Sequence, residues 1–295
     1  MPTAYFNPPE CRRHDMGEGH PECPARLAAI DDWLIASGLG QALAHFDAGP
    51  VDLKDVERAH THAYVAEIGA TLRRCAENDE RCAVDPDTSA NAHTWAAALA
   101  AAGAAVRATD VVIDGQADNA FCAVRPPGHH ATRDQSMGFC FFNNVAIVDF
   151  DVHHGNGTED IIAGDERVLM VSLFQHPLYP YSGAVPKGVN MVNVPLPPYT
   201  RGGDVREIVE AMWLPALERF RPQMIFVSAG FDAHRDDDLG QLGLVEADYE
   251  WITLRLKDVA DRHAQGRIVS VLEGGYNLHA LSRSVAAHLR ALADL

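Results

Sequence analysis

The 295-residue sequence is poor in several features that mark particular classes of protein. It has 24 basic residues against 41 acidic ones, a formal net charge of −17, and so lacks the clustered Lys and Arg that contact nucleic-acid phosphates. Residues 1–6 lack the basic and apolar regions of a secretory signal, and no apolar run approaches the ~20 residues of a membrane span. These absences predict a cytoplasmic protein without nucleic-acid or membrane partners.

Cysteine is also uncommon in this chain. The six cysteines include no CxxC pair and no closely spaced framework. We therefore expect reduced thiols that serve mostly in packing, and no cysteine-based zinc site. The residues concerned are Cys11, Cys23, Cys75, Cys82, Cys122 and Cys140.

What remains is a globular composition, with 47% hydrophobic and 22% charged residues. Helical and strand patterns alternate, which predicts an α/β fold with a largely parallel sheet flanked by helices. Because no repeat or linker-like stretch interrupts the pattern, residues 1–295 are expected to form one domain. Helices are predicted at 24–37, 91–112, 204–220, 246–264 and 278–292, and buried strands at 120–124, 147–150, 167–173, 223–228 and 267–272.

Polar clusters rich in Gly or His follow four of these strands, beginning at Arg125, Asp149, Ser228 and Leu272. In open α/β sheets, ligands bind in the crevice outside the carboxyl ends of the strands. Four segments that are distant in sequence can therefore converge on one site.

The densest cluster is Asp149-Phe150-Asp151-Val152-His153-His154-Gly155-Asn156-Gly157. Alternate side chains of an extended segment share a face, so Asp151 and His153 can reach one metal ion. An isolated DxH is more often a polar strand end, but the flanking Asp149 and His154 favour the metal interpretation. Asp232, just beyond another apolar strand, is placed to supply a third ligand, and three ligands with an open position describe a catalytic metal.

Two further clusters offer acid–base and hydrogen-bonding groups. His129 and His130 follow a Pro-Pro-Gly turn that can aim both imidazoles into the crevice, although an isolated pair of histidines is more often solvated. Gly274 and Gly275 allow the backbone to pass close to a ligand. Tyr276 can donate a hydrogen bond to an oxyanion, although taken alone it would more often be a core tyrosine.

In this order, the four clusters resemble the zinc-dependent histone deacetylase superfamily, specifically its class II-like bacterial deacetylase and acetylpolyamine amidohydrolase branch. Further matches are His20-Pro21-Glu22, Gly138-Phe139-Cys140-Phe141-Phe142-Asn143-Asn144 and Leu178-Tyr179-Pro180. The resemblance covers nearly the whole chain. It implies the arginase/deacetylase fold, a central parallel sheet with helices on both faces, and a hydrolase that removes acetyl groups from acetyl-lysine-like or acetylpolyamine amines.

The resemblance also implies two metal sites. Asp151, His153 and Asp232 match the zinc ligands, and ferrous iron suits the same ligand set. A structural potassium ion would be bound by Asp149, Asp151, His153, Ser172 and the backbone of Leu173.

The catalytic residues that the resemblance implies are His129, His130, Tyr276, Asp149 and Asn156. In this interpretation Asp149 partners the first histidine and Asn156 holds the second. Phe139 and Tyr179 would form the walls of an acetyl-lysine tunnel, and Gly138 would accept the substrate amide. The implied substrate-binding residues are Gly138, Phe139, Tyr179, Asp87, Leu239 and Gly274.

The sequence departs from the family pattern in two places. Leu239 occupies the rim position at which a glutamate marks one polyamine-selective branch, and Asp238 replaces a proline beside it. Similar proteins place a helix and a loop before the metal-binding strand, but here Asn144-Val145-Ala146 runs directly into Ile147-Val148-Asp149. Since a parallel crossover needs about a dozen residues, we expect residues to be missing between Ala146 and Ile147, or this part of the sheet to be rebuilt.

Two other functions are compatible with the sequence. An arginase-like ureohydrolase shares the implied fold, but its two manganese ions need a carboxylate where this chain has Gly155. A catalytically impaired acetyl-lysine-binding homologue would fit the shortened connection, whereas the complete ligand set and Tyr276 favour an enzyme. The sequence leaves the oligomeric state open, a homo-oligomer included.

Overall fold

A parallel sheet occupies the centre of the computed structural model, which describes residues 1–144 and 148–295. Eight strands of the described residues form it in the order β2-β1-β5-β10-β9-β6-β7-β8, and β3 pairs with β4 separately. Every neighbouring pair in the large sheet is parallel, as predicted. The strands are β1 (Thr3–Phe6), β2 (Ala44–Phe46), β3 (Cys82–Ala83), β4 (Ser89–Ala90), β5 (Asn119–Cys122), β6 (Val148–Asp149), β7 (Met170–Gln175), β8 (Met191–Leu196), β9 (Ile225–Ala229) and β10 (Ile268–Leu272).

The predicted helices are all present in the described chain. A π-helical turn, Val209–Trp213, divides the predicted 204–220 helix into α6 and α7. Short 3-10 turns occur at Pro9–Arg12 and Leu39–Ala42. The helices are α1 (Ala25–Ser37), α2 (Leu53–Val56), α3 (His62–Asn78), α4 (Thr94–Ile113), α5 (Asn156–Ile162), α6 (Gly202–Ile208), α7 (Leu214–Phe220), α8 (Glu246–His263) and α9 (Leu278–Leu292).

The helices flank the sheet on both faces. α4 packs against β1, β5 and β10, while α9 contacts β5 and packs between α1 and α8. Phe121 of β5 lies against His288 of α9, so its neighbours Ala120 and Cys122 point to the opposite face. This arrangement leaves the carboxyl ends of the strands as the place where loops can build a site.

Local signals explain where two of the helices end or begin. Gly38 follows α1 in the left-handed conformation (φ 72°), which glycine adopts without steric cost, and its N–H is bonded to the carbonyl of Ile35. Asn277 precedes α9, and its side-chain oxygen accepts a hydrogen bond from the N–H of Ala280. Asn277 therefore fixes the start of α9 immediately after Tyr276.

The expectation that all six cysteines are reduced is wrong. Cys75 and Cys82 form a disulfide, with Cα atoms 6.0 Å apart, because the chain reverses after α3 at Asp79 (φ 50°) and enters β3. The other four cysteines are free, as expected.

The described residues contain one helix of membrane-spanning length, although the sequence shows no apolar run of ~20 residues. α4 is long and apolar enough to cross a membrane, but most of it is buried in the structure. A core helix passes the same length and composition test, so α4 is weak evidence for a membrane span. The expected gap or rebuilt connection between Ala146 and Ile147 lies outside the described residues.

His288 on α9 is buried in the core between the sheet and α8. Its Nδ1 lies 2.6 Å from the hydroxyl of Thr253, and its Nε2 lies 2.9 Å from the hydroxyl of Ser270. Burial lowers the pKa of this imidazole to about 3. His288 is therefore held neutral in the folded protein.

We expect His288 to make the stability of the fold sensitive to acid. The unfolded chain binds a proton here below pH ~6.5 and the folded chain does not, so stability is lost as the pH falls from ~6.5 towards 3. The expected loss is about 1.4 kcal/mol per pH unit below that point. Urea unfolding at pH 7, 6 and 5 should give a steeper pH slope for the wild type than for His288→Gln. His279→Gln, an exposed histidine of the same helix, should keep the wild-type slope. Equal slopes in all three proteins would contradict this assignment.

Candidate active site and metal-ligand cluster

Four neighbouring strands bring the predicted clusters together. β5, β10, β9 and β6 are adjacent in the sheet, and each is followed by one of the four polar clusters. Because parallel strands end at the same edge, His129 and Glu273 are in contact there despite their separation in sequence.

Asp151, His153 and Asp232 form a buried cluster whose ligand atoms all lie within 4.8 Å of one another. The Nδ1 atom of His153 is 3.0 Å from Asp151 Oδ1 and 3.2 Å from Asp232 Oδ2. The N–H of Val152 donates to Asp232 Oδ1 at 2.8 Å, and the N–H of Gly274 donates to Asp151 Oδ2 at 2.9 Å. Among the described residues, Asp232 Oδ2 is buried, makes no hydrogen bond of normal geometry and faces the Nδ1 of His153, another candidate ligand. Asp232 Oδ2 is therefore available to a bound cation.

The electrostatics of the cluster also favour a cation. Burial, together with the charge of Asp151, raises the pKa of Asp232 to about 7. Burial alone would lower the pKa of His153, but the two carboxylates raise it to about 10. Two carboxylates and one imidazole are ligands that zinc accepts, and a divalent ion would balance the two buried negative charges.

Gly274 lies against this cluster. A Cβ atom at this position would be 2.0 Å from Asp232 Oδ2 and 2.6 Å from Asp151 Oδ2. A side chain would therefore displace both carboxylates, and glycine is required for the backbone to pass so close.

His129 and His130 lie beside the cluster with different partners. His129 Nδ1 is 3.1 Å from Asp149 Oδ2, and its Nε2 is 3.8 Å from Asp151 Oδ2. His130 Nδ1 is 2.8 Å from Asn156 Oδ1. The two imidazole rings have centroids 4.1 Å apart. One histidine thus has a carboxylate partner and the other an amide partner.

These partners shift the pKa values of the two histidines in opposite directions. Burial lowers the pKa of His129, but the charges of Asp151 and Asp149 outweigh burial and raise it to about 10. For His130, burial and the positive charges of His129 and His153 hold the pKa well below its ordinary value. The geometry therefore suits a charged His129 beside a neutral His130.

Three aromatic rings lie at the same edge of the sheet as the cluster. The ring of Tyr179 lies edge-on to His130, with centroids 5.2 Å apart, and Phe139 lies edge-on to Tyr276 at 6.0 Å. Gly138 and Phe139 both have positive φ angles, 57° and 69°. A Cβ atom on Gly138 would lie 2.4 Å from the ring of His130, so this turn needs glycine.

The turn at Gly138 is fastened to the loop that contains Asp87. The N–H of Gly138 donates to Asp87 Oδ1 at 3.3 Å, and the N–H of Phe139 donates to the hydroxyl of Thr88 at 3.0 Å. Asp87 therefore lies beside the turn that carries Phe139, and its role in holding the substrate stays a prediction.

Tyr276 is held by two residues that sequence reasoning did not assign. The carboxylate of Asp237 accepts from the N–H of Tyr276 at 2.6 Å and from that of Asn277 at 2.9 Å. The guanidinium of Arg26 lies over the Tyr276 ring, 5.0 Å from its centroid. Burial raises the pKa of Tyr276 well above its usual value, so the hydroxyl keeps its proton.

Asp237 belongs to a run of three acidic residues, 236–238, but it is not a solvated surface charge. Its side chain is buried, and its other oxygen accepts from the N–H of Leu239 at 3.0 Å. Leu239 itself is half-buried. In the sequence, the contact of Asp237 with Tyr276 is indicated only by an acidic residue five positions after Asp232.

Two of the expected potassium ligands are neighbours in the sheet. Asp149 of β6 and Ser172 of β7 are direct partners in the sheet, and Leu173 follows Ser172. The hydroxyl of Ser172 is buried and has no hydrogen-bond partner among the described residues. Since buried polar atoms normally have partners, this hydroxyl fits a cation ligand.

A buried ion-pair network supports the turn before His129. Arg125 donates to both carboxylate oxygens of Glu22 and to the backbone carbonyls of Cys11 and His14. Burial raises the pKa of Glu22, but Arg125 and His14 outweigh it and hold the value well below normal. In the sequence, Glu22 stands out only as part of His20-Pro21-Glu22.

The sequence matches the protein family described as Histone deacetylase domain over residues 20–292. A probable deacetylase of Archaeoglobus fulgidus is 35% identical over 301 residues, covering 94% of this chain and 82% of the relative. A histone deacetylase-like amidohydrolase of Pseudomonas aeruginosa is 38% identical over 283 residues, covering 88% and 73%. The 301-residue alignment is longer than the 295-residue chain, so the Archaeoglobus protein contains residues that this chain lacks.

The crystal structure of the HDA15 HD domain is similar over 99% of this chain and 88% of its own, with a TM-score of 0.91 and 31% identity. This likeness confirms the arginase/deacetylase fold that the sequence resemblance implied. With the family match over most of its length, the chain belongs to the histone deacetylase family and is a hydrolase of that family.

Proposed function

We propose that this protein is a zinc-dependent deacetylase that hydrolyses the amide of acetyl-lysine-like or acetylpolyamine substrates. The observation that carries the proposal is the buried Asp151–His153–Asp232 cluster, whose candidate ligand atoms converge beside His130. Among the described residues, this is the only group of three or more clustered metal-binding side chains. That favours one catalytic ion over the two manganese ions of a ureohydrolase.

Asp151, His153 and Asp232 would hold zinc or ferrous iron, and both metals suit this ligand set. The bound metal would polarise the acetyl carbonyl and lower the pKa of a water molecule. Asp149, Asp151, His153, Ser172 and Leu173 would hold a structural potassium ion, a role supported by the unpartnered hydroxyl of Ser172.

The two histidines would divide the proton transfers. Because Asn156 presents its amide oxygen to His130 Nδ1, that nitrogen carries the proton, and His130 Nε2 is free to accept one from water. The same group would later protonate the amine that leaves. His129, paired with Asp149, would remain charged and orient the site.

The remaining residues would bind the substrate and the developing charge. The hydroxyl of Tyr276 would donate to the oxyanion formed from the acetyl carbonyl. Phe139 and Tyr179 would contact the methylene chain, with Leu239 at the rim. Gly138 and Asp87 would meet the substrate amide, and Gly274 would leave room beside the metal.

A substrate comparison tests the proposal. We expect the zinc-loaded protein to hydrolyse an acetyl-lysine peptide, acetylputrescine and acetylspermidine. The preference for the two polyamines over the peptide should be only modest, because Leu239 offers no charge at the rim. The measurement is kcat/KM for each substrate at low and high salt, since long-range attraction of cations by the −17 chain is screened by salt.

Two outcomes would contradict this expectation. No turnover of any of the three substrates by metal-loaded protein would refute the proposed substrate class. Hydrolysis of the polyamines alone, undiminished at high salt, would require a dedicated cation site.

The cytoplasmic location and the absence of nucleic-acid and membrane partners remain predictions from the sequence.

A further inference from the structure

Glu273 is a buried acidic residue to which the proposed reaction assigns no role. It follows β10 directly and is fully buried. Its Oε2 atom accepts from the N–H of Gly128 at 2.6 Å and from the N–H of His129 at 3.2 Å. Its Oε1 atom accepts from the hydroxyl of Ser228 at 3.3 Å. The carboxylate thus binds the backbone of the turn that carries the two histidines.

The backbone of Glu273 is itself fixed on both sides. Its N–H donates to the carbonyl of Ala229 at 3.0 Å, and its own carbonyl accepts from the guanidinium of Arg26 at 2.5 Å. Because the main chain is held, the length of the side chain determines whether the carboxylate reaches the N–H groups of Gly128 and His129. Glu273 is therefore a rigid connection between the end of β10 and the turn after β5.

A carboxylate at this place needs a physical reason. Burying a charged group costs free energy unless hydrogen bonds compensate it, and an aliphatic side chain would continue the apolar strand at lower cost. Of the three hydrogen bonds that described residues donate to the Glu273 carboxylate, two come from the turn of His129 and His130. Catalytic groups lose activity when they move by small distances, and a 1 Å displacement can cost about 10²-fold.

We propose that Glu273 is a positioning residue that sets the placement of His129 and His130 by holding the backbone of their turn. It acts through the reach of its oxygen atoms to the two N–H groups and not through its charge. This inference rests on the proposed function, in which His130 transfers the protons.

Two substitutions separate reach from charge. Glu273→Gln keeps the length and an acceptor oxygen but removes the charge. Glu273→Asp keeps the charge but shortens the side chain by one carbon–carbon bond, about 1.5 Å. We expect Glu273→Gln to retain kcat within about threefold of the wild type. We expect Glu273→Asp to lose at least about tenfold in kcat, with KM within about twofold. If the Asp variant is the more active of the two, charge is what matters and the proposal is overturned.

Amide hydrogen exchange gives a readout that does not depend on activity. In Glu273→Asp, the amides of Gly128 and His129 should exchange at least about tenfold faster, while Glu273→Gln should keep their wild-type rates. The amide of Phe231, which donates to the carbonyl of Gly274 at 3.0 Å, serves as a local reference and should not change. Wild-type exchange at Gly128 and His129 in the Asp variant would overturn the proposal.

The design also separates this proposal from the proposed function. If the wild type hydrolyses no acetylated amine, the proposed function fails, and the exchange rates still decide whether Glu273 holds the turn. If Glu273→Asp does not fold, Glu273→Gln decides alone. Near-wild-type kcat in Glu273→Gln would support positioning by reach, whereas a large loss of kcat would show that the charge matters and would overturn the proposal. Metal content measured in each variant shows whether the ligand cluster has been disturbed.

Discussion

Asp232→Ala should abolish deacetylation and release the bound metal while the chain stays folded. The substitution removes one of three candidate ligands and also the acceptor for the N–H of Val152. Altering residues that merely orient metal ligands costs about 10–100-fold in metal affinity, so deletion of a ligand should cost more. The measurements are the metal-to-protein ratio after dialysis and kcat/KM, with circular dichroism to check folding.

Asp238→Ala is the matched control for this experiment. Asp238 is an exposed aspartate in the same loop, so its loss should leave metal content and turnover unchanged. Retention of metal and activity in Asp232→Ala would remove Asp232 from the ligand set.

Metal analysis of the wild type should give about one catalytic divalent ion per chain. Two transition-metal ions within ~4 Å of each other would instead favour the ureohydrolase interpretation.

Tyr276→Phe should reduce turnover by about 10²–10³-fold with little effect on KM. The substitution keeps the ring between Arg26 and Phe139 but deletes the hydroxyl that would donate to the oxyanion. Loss of one such donor has a cost of this size. It should appear in kcat because the oxyanion forms only after the substrate has bound. Steady-state kinetics on an acetyl-lysine peptide measure both constants.

Tyr249→Phe provides the control for Tyr276→Phe. Tyr249 is a fully buried core tyrosine whose hydroxyl has no hydrogen-bond partner among the described residues. Removing that hydroxyl should therefore leave kcat unchanged. A Tyr276→Phe variant with altered KM and normal kcat would make Tyr276 a residue of substrate packing.

The elements that could be predicted from sequence are those with strong local signals. α9 combines apolar periodicity with a capping Asn277, and α1 ends at Gly38, so both helices could be placed closely. β9 and β10 are apolar except for one serine each, as is typical of strands covered on both faces.

Elements with weaker signals were not predicted. β8 contains Pro195, which removes a backbone donor, and this strand forms an edge of the sheet in the described chain. β1 and β2 have only four and three residues. Such short strands are defined by their pairing with β5 and with each other, which local sequence does not encode.

The candidate site shows the same division. Asp151 and His153 are two positions apart in the sequence, so their ability to bind one metal ion could be recognised from this spacing. The contacts of Asp237 with Tyr276 and of Glu273 with the histidine turn join segments that are far apart in the chain. No local pattern predicts them, because they exist only after the strands have been arranged in the sheet. The disulfide between Cys75 and Cys82 likewise depends on the reversal of the chain after α3.

The central position of β10 has a consequence for folding. β10 is the last strand in this sequence, yet it lies between β5 and β9. In any state without β10, the facing edges of β5 and β9 present unpaired N–H and C=O groups, which can pair with strands of other chains. Pairings between segments distant in sequence also form slowly, because long loops must close first. A chain still being synthesised therefore exposes two edges prone to aggregation. The turn of His129 and His130 and the segment of Tyr276 come together only when β10 is inserted between β5 and β9.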